Sequence, residues 1–379
     1  MWKTPTVLII IVLVLLTFGI VMLASTSGVK ALSIYNDSYY FVKRQVLWLI
    51  LALLAGSIAA KLDYRIWRHM AIPVFIGAFV LLVLVFIPGV GVKIGGSRRW
   101  LHMGPLSFQP SELAKFSLIL ILAWWISRKQ RHVHELIRGA LIPMIPLGII
   151  VGLIFLEPDF GTAILLAAIG ISILFVGGAR IRHLLSLSIP GLIGFSVAVM
   201  HNPVRMKRIL AFLEPDKYVR TYSFQLVNAI NAFIAGGWKG VGLGESVQKH
   251  FYLPEAHTDF IFAIIGEELG VAGSIIVLLL FASLFLCGIR ISFNASDLFA
   301  RLLAFGITMM ITVQAVMNIA VVTGCMPTKG LPLPFISFGG SCLVMSLVEI
   351  GVLFNIAQHS ESILKDDELR MARHCSHDF

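Results

Sequence analysis

Ten stretches of this chain are apolar over a length that crosses hydrocarbon, and a water-soluble core cannot absorb ten such stretches. A spanning helix needs about 20 apolar residues. The stretches fall at about 7–24, 42–60, 71–90, 111–127, 139–156, 160–178, 181–200, 260–289, 300–322 and 341–358. Only 13% of the residues are charged and the mean hydropathy is +0.90, so too little charge is present to cover a soluble surface. The expected fold is an all-α integral membrane protein of about ten transmembrane helices, one polytopic domain over 1–379. The first run, from Val7 to Ala24, follows Lys3 as a secretory signal would. It is longer than a signal core and other spans follow, so it reads as an uncleaved first helix. Glu112 and Lys115 near the start of the fourth stretch, and Pro190 in the seventh, mark the two weakest spans.

An even number of spans puts both termini on one side. Lys3, the stretch 61–70, SRKQRHVHELIR (127–138), Arg180, Arg182, Arg290, Arg301 and the tail (about 359–379) share that side, which makes it cytoplasmic. The formal charge of +10 does not indicate nucleic acid, because the cations are scattered through short loops. The opposite side nevertheless keeps Lys93, Arg98, Arg99, Arg205, Lys207, Arg208, Lys217, Arg220, Lys239 and Lys249. Cations held outside against the usual bias point to an anionic ligand there. Most lie in the one long connection, an extracytoplasmic loop at about 201–259 between the seventh and eighth spans. Within it, Phe224, Val227, Ile230, Phe233 and Ile234 recur at helical spacing before Trp238, as in a helix lying in the interface. GVGLGES has no preceding strand and fits neither nucleotide fingerprint. Cys287, Cys325, Cys342 and Cys375 lack metal-ligand spacing; a Cys325–Cys342 bridge stays open.

Four outer stretches carry the acids and bases between them. In LEPDFGTA (156–163) Asp159 stands where a helix cap belongs, whereas Glu157 gains nothing from capping. In SRRWLHMGPLSFQPSELAK (97–115) Ser111 suits a cap and Glu112 suits the positive helix end; Lys115, one turn into a span, needs a partner or a cavity. Arg98 and Arg99 read either as interface anchors or as a clamp for phosphate oxygens. In PEAHTDFIFAIIGEELG (254–270) Asp259 either caps the eighth helix or serves as a general base whose proton affinity burial and nearby cations tune. Glu267 and Glu268 lie two turns deeper, where Gln314, Asn318 and Glu349 are candidate buried partners. In PTKGLPLPFISFGGS (327–341) three prolines and the glycines forbid a regular helix, and irregular backbone at this depth lines a cavity. A mere connector would not require Lys329.

Taken in this order and on one predicted side, these stretches resemble the SEDS family of bacterial cell-wall polymerases, which includes FtsW, RodA and SpoVE. The basic start of the long loop with its EPDKY belongs to the match, and PEAHTDF with TKG leans toward the FtsW/SpoVE branch. Phe338 and Cys342 stand where tyrosine and serine are commoner in that family. The resemblance implies a peptidoglycan glycosyltransferase that polymerises lipid II, a disaccharide-peptide on undecaprenyl pyrophosphate. It implies the inner membrane at the division site, a class B penicillin-binding transpeptidase and other divisome proteins as partners, and a divalent cation (Mg2+ or Mn2+) as an aid.

The same resemblance places the essential acid at Asp259. The diphosphate would be met by cations from Arg98, Arg99, Lys115, Arg205, Arg208 and Lys329, with Glu112, Glu157, Asp159, His257 and Ser337 in support. Diphosphate is already a good leaving group, so a second acid at glycosidase spacing is not required. The alternative is a transporter that flips the same lipid-linked precursor. Glu267, Glu268, Gln314, Asn318 and Glu349 keep it open, since transport needs polar groups through the full depth of the bundle. A scaffold without chemistry would leave the outer cations unexplained.

Overall fold

A computed structural model describes residues 4–375 except 95–96, 104–105, 220 and 251. Arg220 and the side chain of Lys93 lie outside the described residues. The first three helices are α1 (Thr4–Tyr35), α2 (Tyr40–Lys61) and α3 (Tyr64–Val85). Next come α4 (Pro110–Arg128), α5 (Ile142–Leu156), α6 (Phe160–Val176) and α7 (Ile181–Met200). The long loop folds into α8 (Pro203–Leu213) and α9 (Phe224–Gly236), and α10 (Ile261–Glu268), α11 (Gly270–Phe293), α12 (Leu298–Val322) and α13 (Gly340–Cys375) complete the bundle. Among the described residues nine spans are long and apolar enough to cross a membrane, and α6, with 17 residues, falls just short. Each of the ten expected stretches thus contains helix. α4, α12 and α13 form the buried middle, while α7 stands at the rim with nearly its whole surface turned outward.

The third span starts earlier than its apolar run, because Asp63 caps α3 through the backbone N–H of Arg65, which recruits the basic residues after it into the first turns. Its expected C-terminal residues instead lead into a three-stranded antiparallel sheet, β1 (Gly91–Ile94), β2 (Ser97–Met103) and β3 (Leu106–Phe108), in that order. By itself the sequence predicts only a connection between the third and fourth spans here. Cys287, Cys325 and Cys342 are free thiols, so no Cys325–Cys342 bridge forms.

The eighth span is not the continuous helix that its hydropathy suggests. It breaks at Gly270, whose φ of +68° only glycine tolerates easily and whose missing side chain leaves room for the Trp238 carbonyl oxygen 2.6 Å from the Cβ position. α11 alone, at 24 residues, is long enough to cross. Glu267 and Glu268 therefore lie before the break, outside α11, and organise the long loop. Glu267 accepts hydrogen bonds from Ser246 Oγ and, at 2.9 Å, from the Val247 N–H. Glu268 accepts from Ser25 Oγ at 2.6 Å and pairs with Lys249 at 3.2 Å. The expected pairing of these acids with Gln314, Asn318 or Glu349 does not occur. α9 packs on α10 where Gly236 meets the Gly266 carbonyl and Phe233 meets Phe262, and its buried residues are Leu226, Ala229, Ala232 and Gly236. Small residues face inward, and Ile230 and Ile234 of the expected apolar face are exposed.

Candidate active site

Two cavities open side by side at the end of the bundle that carries the long loop. The first, about 550 Å3, is lined by Arg99, Asp159, Arg208, Glu255, Asp259 and Lys329, with Tyr222 and Gln225 from the loop. The second, about 520 Å3, is mostly apolar, with Ile164, Phe195, Val199, Val204 and Ile209 in its wall. They share Ser97, Pro158, Phe160 and Thr328 and, as charged groups, Arg99, Arg208 and Lys329. Three cations thus stand between an acid-lined chamber and an apolar one.

The acids come from two turns. Asp159 caps α6, accepting from the Thr162 N–H at 3.1 Å, and its other oxygen lies 3.6 Å from Arg99 Nη1. Capping and site membership coexist. Arg99 also donates to the Glu157 carbonyl at 2.9 Å and the Pro158 carbonyl at 2.7 Å, so its fork holds the whole turn. Asp259 does not cap α10, because Phe260 takes the N-cap position. Among the described residues its carboxylate makes no hydrogen bond or ion pair. Burial, reinforced by the like charges of Glu255 and Asp159 and opposed by Arg99, raises its pKa to about 7.

Asp259 is held by its backbone. Asn318 Nδ2 donates to its carbonyl oxygen at 2.7 Å and to that of Leu331 at 2.6 Å. Ser337 Oγ donates to the Thr258 carbonyl at 2.6 Å and accepts from the Leu333 N–H at 2.8 Å, and the Phe338 N–H donates to the His257 carbonyl at 3.0 Å. The irregular segment 327–338 is thereby sewn to 257–259. Gly330 permits the closest approach, since a Cβ there would lie 2.8 Å from Asp259 Oδ2. Gly330→Ala is expected to displace that carboxylate and lower any activity that depends on it by about tenfold or more, because a shift of this size at a reacting group is costly. Unchanged turnover of purified Gly330→Ala would remove the contact from consideration.

The other expected site residues divide. Lys329 is half-buried in the walls of both cavities without an ion pair among the described residues; burial lowers its pKa, with Asp159 opposing. Asn202 caps α8, and the three-residue spacing along that helix turns Arg205 and Arg208 to one side. Arg208 reaches both cavities; Arg205 lines only the apolar one, its guanidinium 3.8 Å from the ring centroid of Phe160 and 5.1 Å from that of Phe155. Arg98 does not join them. It is exposed, because neighbouring residues of strand β2 point to opposite faces and Arg99 takes the inner one. Glu112 and Lys115 do not line either cavity: they pair with each other at 2.8 Å inside the bundle, where Lys115 also donates to Gln314 at 2.8 Å. Ser111 is no cap, since Pro110 opens α4 after Gln109.

His257 packs against Phe41 and Phe338, and burial together with Lys30 holds its pKa down at about 4, so it is neutral and offers no charge to an anion. Ser337 serves the backbone as described. Glu157 is buried with neither carboxylate oxygen hydrogen-bonded among the described residues; burial, then the charge of Asp159, raises it to about 8. Among the described residues no three His, Cys, Asp or Glu side chains converge as metal ligands. A hard divalent cation fits this donor set only if ligand oxygens complete its shell. Sequence reasoning missed the roles of Gly330 and Asn318, although an asparagine within an apolar span was the available signal.

Comparison with known proteins gives one answer. The sequence model of the FtsW/RodA/SpoVE family, described as cell cycle protein, matches residues 5–362. A protein of Trichlorobacter lovleyi named probable peptidoglycan glycosyltransferase FtsW is 43% identical over 351 residues, 93% of this chain and 92% of that one. Stage V sporulation protein E of Bacillus subtilis is 43% identical over 356 residues, 93% of this chain and 96% of that one. Among solved structures, a chain from a study of polymerization and crosslinking by a peptidoglycan synthase complex superposes with a TM-score of 0.78 at 29% identity, covering 93% of this chain and 97% of that one. The rod shape determining protein RodA of Thermus thermophilus superposes with a TM-score of 0.67 at 26% identity, covering 93% and 95%.

Proposed function

This chain belongs to the FtsW/RodA/SpoVE family and is a peptidoglycan glycosyltransferase of the membrane, and we propose that Asp259 is the base with which it polymerises lipid II. The observation that carries this is the shared wall of Arg99, Arg208 and Lys329 between an acid-lined chamber and an apolar one. A lipid-linked sugar diphosphate has those three parts in that order. The sugars occupy the acid-lined chamber, the diphosphate meets the three cations, and the first isoprene units lie along Ile164, Phe195 and Val199. Asp259 takes the proton of the acceptor hydroxyl as that oxygen attacks the anomeric carbon of the donor. The bond to the diphosphate breaks, and Arg99, Arg208 and Lys329 meet the negative charge that leaves. A divalent cation would be held by Asp159 beside the diphosphate oxygens, which complete the shell of a hard cation with few protein ligands.

The charge bias of the loops supports placing this end outside the inner membrane, where a lipid-linked precursor is consumed. The likeness to a chain of a peptidoglycan synthase complex supports a crosslinking partner, for which we propose a class B penicillin-binding transpeptidase, and the FtsW relatives support a place among the divisome proteins at the division site. Transport of the same precursor loses four of its five polar groups, because Glu267 is occupied by the long loop, Glu268 by Ser25 and Lys249, Gln314 by Lys115 and Asn318 by backbone, which leaves Glu349.

The test is glycan polymerisation by the purified chain, with its partner present, from lipid II across pH. The base must be ionised to act and Asp259 loses its proton at about 7, so the rate rises with pH through that value. On its acid side the rate falls up to about tenfold per unit. A rate flat from pH 5 to 8, or no polymer at all, would count against the assignment.

A further inference from the structure

Asn318 lies on α12, is 2% exposed, and spends both amide hydrogens on backbone carbonyls of two segments far apart in sequence. One carbonyl is that of Asp259, and the other is that of Leu331, next to Lys329 and Gly330. Both partners are acceptors, so the nitrogen must face them whichever way the amide is drawn. One turn earlier Gln314 Nε2 donates to the Pro332 carbonyl at 2.9 Å, which makes this face of α12 a rail for the irregular segment. Of the groups sewing the two segments together, Asn318 is the side chain that grips the Asp259 peptide itself.

We propose that Asn318 is a positioning residue that locks Asp259 against Gly330 and so holds the base and the Lys329 cation in one rigid unit. This rests on Asp259 being the base. Without Asn318 the Asp259 peptide is free to swing into the chamber. Its carboxylate then leaves the Gly330 backbone and gains water, while still facing Glu255 on its own turn, Asp159 and Arg99 across the chamber, and Lys329 and Arg208 in the shared wall. A solvated carboxylate ionises at lower pH. The reacting geometry loosens, whereas the cations that bind the diphosphate stay in place.

The experiment compares wild type, Asn318→Ala, Asn318→Ser and Asp259→Asn as purified full chains with lipid II, reading kcat, KM, the acid limb of the rate and thermal unfolding. Asn318→Ala is expected to lower kcat by about 10- to 100-fold, the order of effect of misplacing a reacting group, with KM changed less than about threefold. The acid limb moves to lower pH. Asn318→Ser, which keeps one donor, falls between, and it carries the test if the alanine variant does not fold. A kcat within about twofold of wild type overturns the proposal. So does a loss with an unmoved acid limb that tracks thermal stability, since that is a packing defect. An active Asp259→Asn sinks the base itself; an inactive Asp259→Asn beside an unaffected Asn318→Ala sinks the positioning role alone.

Discussion

Asp259→Asn should abolish polymerisation, lowering the rate by about 10^3-fold or more, while the protein folds and withstands heat at least as well as wild type. The first half follows from chemistry: a positioned general base contributes roughly 10^2- to 10^4-fold, and an amide cannot take the proton. The second half follows from the site. Among the described residues the carboxylate has no hydrogen-bond donor or ion pair, and its raised pKa means that the folded chain disfavours its charge. Asparagine fills the same volume beside Gly330 without a charge to desolvate. A group that costs stability yet is kept on a defined backbone is one retained for function. Polymerisation within about threefold of wild type would end the role assigned to Asp259, and a large fall in melting temperature would show that its charge is satisfied in a way the geometry does not indicate.

Lys329→Met is expected to lower kcat/KM by about 10^2- to 10^3-fold, whereas Arg98→Met should leave it within about twofold. The methionine keeps the apolar stem, so the difference reads the charge alone. Lys329 is half-buried in the wall common to both cavities, without an ion pair among the described residues, where a diphosphate would supply the close anionic partner it lacks. A preorganised cation in such a water-poor wall is worth several kcal/mol to a developing anion, by analogy with other charge-stabilising sites. Arg98 points away into solvent, and an exposed cation contributes little. Both residues carry the same charge on the same side of the bundle, so equal losses in the two variants would show that net charge, rather than placement, matters. Kinetics at matched ionic strength on the purified complex settle the comparison.

Most of the bundle was legible from the sequence because spanning hydropathy is a local sum over about 20 residues, and each helix registers it independently. The motifs that gather at the loop end were legible for a related reason. Prolines, glycines and cations at span boundaries leave marks that do not depend on what packs beside them. Asp159, Arg99, Arg208, Lys329 and Asp259 could all be nominated that way, and all five line the acid chamber.

Tertiary structure made the other decisions. Arg98 and Arg99 look alike until a strand sends them to opposite faces. Lys115 reads as a phosphate ligand until Glu112 and Gln314 are found beside it, and one of those lies 199 positions away in the chain. Glu267 and Glu268 read as unpartnered acids within a span until Gly270 breaks the helix and the long loop and Ser25 are found to hold them. Whether a charge is neutralised, stranded or available depends on which groups come within a few ångströms, and that is set by contacts between distant segments. Sequence could therefore establish that this chain crosses a membrane and gathers cations around an aspartate at one end; only the packed helices could say which cations remain free to meet a ligand.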